Sequence, residues 1–240
     1  MEFTPVLRAE WIKIRTLRSL LGALCAVLLV TTLFSALGGL DTGGADFDPL
    51  FAAFFGVSFG QIAAIAFGAT AVSSEFQGGA LRVTFAAVPR RGRWFAAKAV
   101  AIAAPVLAAG LVTGAASLGV GRAVLGDEAD GLSWSEGLRA VVGCAVYLTL
   151  MALFAAGLTA LLRSGVATLS VLIPFLLIVS FVIGDMSGTV ADLLPDKAGQ
   201  VVFHETSDGT LGPWTGLAVT ALWTAAALVA GAWSVRRRDA

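Results

Sequence analysis

With 240 residues, 58% of them hydrophobic and only 13% charged, and a mean hydropathy of +0.88, the chain has too little polar surface for a soluble globular domain. Its 16 basic and 16 acidic residues cancel to a formal net charge of zero, and no nucleic-acid partner is expected. The polar segments are short, and none is long enough to fold alone.

At the N-terminus, Thr4-Pro5 has the form of a helix start, with Thr4 as N-cap and Pro5 at the first helical position. Phe3, Leu7, Trp11, Ile14 and Leu17 then recur every three or four residues, while Arg8, Lys13 and Arg15 fall mainly elsewhere on the wheel. This predicts an interfacial helix over 4–18, with Trp11, Lys13, Arg15 and Arg18 at the level of anionic headgroups. The alternative is a flank that only sets topology. The apolar run that follows is longer than the core of a signal peptide and reads as a span.

Six uncharged stretches predict membrane helices over 19–37, 50–72, 99–120, 140–162, 166–183 and 214–235. Each is close to the about 20 residues that cross roughly 30 Å of hydrocarbon. Arg8, Lys13, Arg15, Arg18, Arg82, Arg90, Arg91, Arg93, Lys98, Arg163 and Arg236 to Arg238 fall on one side, 13 of the 16 bases, and 12 of the 16 acids fall on the other. The positive-inside rule then places both termini in the cytoplasm. Cys25 and Cys144, at different depths within spans, read as small core residues unable to pair. Trp11, Trp94, Trp134, Trp214 and Trp233 fit aromatic belts, whereas Trp223 falls in mid-span.

Within the second span Gly56, Gly60, Ala64 and Gly68 form a ridge of small residues, and Gly110 and Gly114 do the same in the third; such ridges allow close helix approach. Pro105 and Pro174 interrupt the third and fifth spans. Gln61, Thr113, Tyr147 and Thr149 are the main polar groups within the spans, and no Asp, Glu, Lys, Arg or His lies there, which disfavours a proton- or ion-coupled porter. A small channel is disfavoured by the same lack of charged rings.

The longest connection on the basic side, 73–98, reads SSEFQGGALRVTFAAVPRRGRWFAAK. Ser74 and Gln77 have the spacing of a capping box, with Glu75 in the first turn. Gly78-Gly79 interrupts, Leu81 to Phe85 resumes an apolar face, and Val88-Pro89 ends it. Arg90, Arg91 and Arg93 follow. The outward segment 184–213 predicts a short helix over Val190 to Leu194 before Pro195. His204, near Glu205 and Asp208, reads as an incidental solvated residue rather than a metal ligand.

The run Glu75-x-x-x-Gly79-x-x-Arg82-x-Thr84, followed by Pro89-Arg90-Arg91-x-Arg93 and Lys98, resembles the loop between the second and third spans of ABC-2 type transporter permeases. The opening Leu7 to Ser19 and the closing Arg236-Arg237-Arg238-Asp239-Ala240 resemble the actinobacterial branch of that family. Ala80 departs from the Thr or Ser the family often carries there. The resemblance implies an all-α polytopic fold: one transmembrane domain over 1–240, with an interfacial helix, six spans, a cytoplasmic coupling helix and an outward loop over the exit. It implies a permease subunit in the bacterial cytoplasmic membrane that exports an amphiphilic or hydrophobic cargo. A separate cytoplasmic ATPase, which binds ATP-Mg, would drive it, and a second permease subunit, identical or not, would complete the path. Glu75, Gly79, Arg82, Pro89, Arg90, Arg91 and Arg93 would then contact the ATPase or support the loop; the three clustered arginines equally suit lipid phosphates. The chain has no G-x-x-x-x-G-K-[ST] phosphate loop and no catalytic constellation, so no enzyme activity and no cofactor are expected of it. The competing expectation is a membrane scaffold that holds a cytoplasmic partner and moves nothing.

Overall fold

The computed structural model describes residues 3–40, 47–77, 80–88, 90–129, 131–179, 191–205 and 211–237. They are helical throughout, with no strand among the described residues. The helices are α1 (Phe3–Thr16), α2 (Arg18–Gly38), α3 (Pro49–Phe54), α4 (Val57–Ser73), α5 (Ala80–Ala87), α6 (Arg91–Leu125), α7 (Trp134–Leu162), α8 (Gly165–Pro174), α9 (Pro195–Gln200) and α10 (Pro213–Arg237). Five stretches, α2, α3–α4, α6, α7 and α10, are long and apolar enough to cross a membrane. The chain is therefore membrane-embedded and all-α. The expected span over 166–183 is represented by α8 and a π-helical segment, Phe175–Val179; its last four residues lie outside the described residues.

Hydropathy underestimates two helices, because it registers the apolar middle and not the charged ends. α6 begins at Arg91 and runs for 35 residues, about 52 Å at 1.5 Å per residue, well beyond the hydrocarbon layer. α7 begins at Trp134, six residues before the predicted start at 140, because Ser133 and Glu136 form a capping box: the Glu136 N–H donates to Ser133 Oγ at 3.2 Å and the Ser133 N–H donates to Glu136 Oε2 at 3.1 Å. The second span, read as continuous, is broken at Phe55-Gly56. There the Gly56 N–H donates to the Ser35 hydroxyl at 3.3 Å, and a Cβ at Gly56 would strike the Thr31 backbone of α2.

α7 is the hub, packed against α4, α6 and α10. At Gly68 a side chain would strike the Ala152 backbone, so α4 and α7 cross nearly backbone to backbone. Gly60 faces Thr31 of α2, Ala64 is fully buried, and Gly110 and Gly114 face Ala145 and Val141 of α7. The small-residue ridges are thus occupied by the chain's own helices.

Several side chains depart from expectation. Cys25 is exposed on the outer face of α2, and only Cys144 is a core residue. Trp94 is fully buried rather than part of an aromatic belt, while Trp11, Trp134, Trp214 and Trp233 are exposed. Pro195 starts a helix instead of following one. α9 tucks under α10, with Ala198 and Gly199 buried and the Thr220 hydroxyl donating to Pro195 O at 2.8 Å. Before it, among the described residues, the 3-10 turn Ala191–Leu193 stands where a helix over 190–194 was expected; Val190 lies outside them.

Candidate functional site

At the end of the bundle where Lys and Arg collect, α1, the end of α4, α5 and the start of α6 meet around four charged groups. Glu10 comes from α1 and Glu75 from the 3-10 turn Ser74–Phe76 that closes α4. Lys98 comes from the second half-dozen residues of α6. These three are 2%, 3% and 2% exposed, so each charge has left water and requires a partner. Lys98 Nζ donates to Glu75 Oε1 at 2.7 Å and is paired with the Glu10 carboxylate. Lys13, one turn along α1 and half-buried, donates to Glu75 Oε1 at 2.8 Å and to Glu10 Oε1 at 3.1 Å. Two carboxylates and two ammoniums balance.

Neutral groups complete the shell. Trp94 Nε1 donates to Glu10 Oε1 at 3.1 Å, which is why this tryptophan lies inside. The Thr84 hydroxyl of α5 donates to Glu75 Oε2 at 3.4 Å, and Phe85 meets the Trp94 ring edge-on at 5.5 Å. Burial works against the Lys13 ammonium, but hydrogen bonds and attraction from Glu75 and Glu10 outweigh it and hold its pKa above the ordinary lysine value. Buried ion pairs of this kind add little net stability against an apolar alternative, but removing one partner strands a charge and costs about 3–5 kcal/mol. The cluster therefore fixes geometry: α1, α4, α5 and α6 shift together or lose pairing.

Of the residues named in the sequence, Glu75, Lys13 and Lys98 stand in this cluster, with Thr84 and Trp94 donating to it. Trp11, Arg15 and Arg18 are exposed along α1 and the start of α2. α1 buries Val6, Glu10 and Ile14 against the bundle; of the stripe Phe3, Leu7, Trp11, Ile14 and Leu17, Ile14 is buried, Leu7 is half-exposed, and Phe3, Trp11 and Leu17 are exposed. Thr4 lies inside α1, which starts at Phe3 and leaves no N-cap role for it. Ser74 forms no capping box with Gln77: its hydroxyl donates back to Ala71 O at 3.3 Å, because α4 is ending there rather than a new helix beginning. Arg82 lies on α5, and Gly79 and Pro89 fall outside the described residues. Arg90 is exposed at the N-cap of α6 and Arg93 is exposed in its first turn. Arg91 reaches across to donate to Val235 O and Arg236 O at 3.3 Å, and lies 5.0 Å over the Phe85 ring.

Glu10, Trp94 and Lys98 carry as much of this arrangement as Glu75. Glu10 left one signal: it lies four residues from both Val6 and Ile14, in line with an apolar stripe, and three from Lys13.

Two further polar groupings lie elsewhere. Tyr147 hydrogen-bonds Gln61 in the bundle interior; Gln200 Nε2 donates to the Tyr147 hydroxyl at 3.3 Å and Ser58 Oγ donates to Gln200 Oε1 at 3.1 Å, joining α9 to α4 and α7. At the opposite end from the charged cluster, Asp48 caps α3 by accepting from the Phe51 N–H at 3.0 Å. It also holds the His204 ring at 3.0 Å and the Glu205 N–H at 3.2 Å. His204 stacks on Phe51 at 4.5 Å, so it is a structural residue and not an incidental one. Burial opposes the Asp48 charge, but these bonds outweigh it and lower its pKa; Glu205 is raised by burial and by the nearby Asp48 and Glu136. Among the described residues no group of three or more His, Cys, Asp or Glu is placed to hold a metal ion.

Comparison with known family models and with curated proteins found no match.

Proposed function

We propose that this chain is the permease subunit of an ATP-driven ABC exporter of the ABC-2 type, moving an amphiphilic or hydrophobic cargo across the cytoplasmic membrane. Glu10, Lys13, Glu75 and Lys98 carry the reading. Through them a short surface helix, α5, and an interfacial helix, α1, are joined to the inner ends of two long membrane helices, so a push on either is passed to both. α5 presents Val83, 73% exposed, with Ala86 beside it and Arg90 and Arg93 following. That is an apolar knob edged by cations, a surface suited to a groove in a cytoplasmic ATPase. The apolar bundle interior, with its few neutral polar groups, suits an amphiphile better than an ion.

On this reading ATP-Mg is bound by the partner ATPase, and a second copy or a sister permease completes the path. The basic end, with both termini, lies in the cytoplasm. The test is copurification with an ATPase bearing a phosphate loop, then ATP hydrolysis by the reconstituted pair across a panel of amphiphiles. Val83→Asp should abolish copurification while the permease itself stays monodisperse. Failure of the unaltered chain to bind any such ATPase would favour a scaffold that holds a different cytoplasmic partner.

A further inference from the structure

Beside the charged cluster, but separate from it, a cavity of about 520 Å³ opens between the start of α6 and the end of α10. It is lined by Phe3, Arg90, Arg91, Gly92, Arg93, Ala96 and Arg236. Four arginines, three at the start of α6 and one near the end of α10, line one space. The arrangement is built in two ways. Arg91 donates to the last carbonyls of α10, holding the two helix ends together. Gly92 leaves room for the Arg236 guanidinium: a Cβ there would come within 2.6 Å of Arg236 Nη2. The first turn of α6 carries no acid, so the positive end of a 35-residue helix adds to the same field.

We infer that this cavity binds the phosphate of an anionic phospholipid headgroup. Planar guanidiniums match phosphate oxygens in paired hydrogen bonds, and several of them around one anion favour phosphate over a lone carboxylate. The depth argues for a lipid as the source. Trp233, three residues before Arg236, is 52% exposed and carries the Arg237 guanidinium 4.6 Å over its ring, and Trp11 is 37% exposed on α1. Amphipathic rings of this kind settle at headgroup level. Phe3 and Ala96 supply an apolar wall where the glycerol and upper acyl chain would lie. An occupied site would lock the end of α10 to the start of α6, and so tie the last membrane helix to the α5 region in a lipid-dependent way. The site does not depend on what the chain transports.

The test uses the full-length protein in detergent, titrated with dioctanoyl phosphatidylglycerol and, separately, dioctanoyl phosphatidylcholine, with binding followed by native mass spectrometry. Phosphatidylglycerol should bind about tenfold or more tighter, because the choline cation of the other lipid would be repelled by the same arginines. Arg93→Gln with Arg236→Gln should remove that preference. Arg8→Gln with Arg15→Gln, an equal loss of charge on the same end of the bundle, should leave it within about twofold. Arg236→Lys, which keeps the charge, should retain part of it. Equal binding of the two lipids by the unaltered protein, or equal loss in both double variants, would overturn the site. Displacement of the lipid by an equimolar amount of inorganic phosphate would overturn its assignment to a lipid.

Discussion

Lys98 Nζ lies 2.7 Å from Glu75 Oε1 and is paired on its other side with Glu10, so one ammonium joins α1 and the start of α6 to the end of α4. All three side chains are 3% exposed or less. The relationship is structural, and its consequences can be measured.

Lys98→Met should strand two buried carboxylates beside a single half-buried lysine and cost about 3–5 kcal/mol in unfolding free energy. Adding Glu75→Gln restores charge balance and should recover part of that loss, a positive coupling in a double-mutant cycle read by thermal unfolding in detergent. Strict additivity would show that Lys98 and Glu75 do not share one network.

Trp94→Phe keeps an aromatic ring in place but removes the N–H that serves Glu10, along with part of a fully buried ring. The expected cost is about 1.5–3 kcal/mol, the range for a hydrogen bond to a charged group. Trp11→Phe, at an exposed ring on the same end of the molecule, should stay within about 0.5 kcal/mol. A smaller effect at Trp94 than at Trp11 would contradict the assigned bond.

Gly68→Val should prevent accumulation of monodisperse protein, since its Cβ would meet the Ala152 backbone rather than a side chain able to move. Gly22→Val is the control: a Cβ there meets nothing within 4 Å. Size-exclusion profiles of the two variants decide whether α4 and α7 cross as closely as described.

The pH dependence at the other end follows from Asp48. Its folded-state pKa lies below the ordinary value of 3.8, so the stability it contributes is present above that value and is lost as pH falls through the lower, folded one. Glu205 is raised above 4.5 and acts oppositely, disfavouring the fold as pH rises through its ordinary value. Comparison with Asp48→Asn separates the two: thermal stability of the unaltered protein should fall from pH 4 downward more steeply than that of the variant. Parallel curves would remove Asp48 from the account.

Much of the architecture was legible because hydropathy and charge sorting are properties of segments. The apolar runs marked the membrane helices, and the periodicity of residues 3 to 17 marked α1. Helix ends were less legible, since Arg91, Arg93 and Lys98 interrupt the apolar run, yet they fall in the first turns of α6. The site was half legible. Glu75 stood out as an acid among bases, but its partners come from three elements, and no local pattern says that Glu10 turns inward or that Trp94 leaves the interface to meet it. Pro195 illustrates the same limit: proline both ends helices and starts them, and only packing against α10 decides which.

On the proposed function, α5 lies on the cytoplasmic side, within reach of a motor. Val83→Cys in a background with Cys25 and Cys144 replaced by serine tests it directly with a membrane-impermeant maleimide. Labelling in inverted membrane vesicles and none in intact cells is the predicted result. Labelling of Val83→Cys from outside intact cells would place α5 on the opposite face and contradict the account.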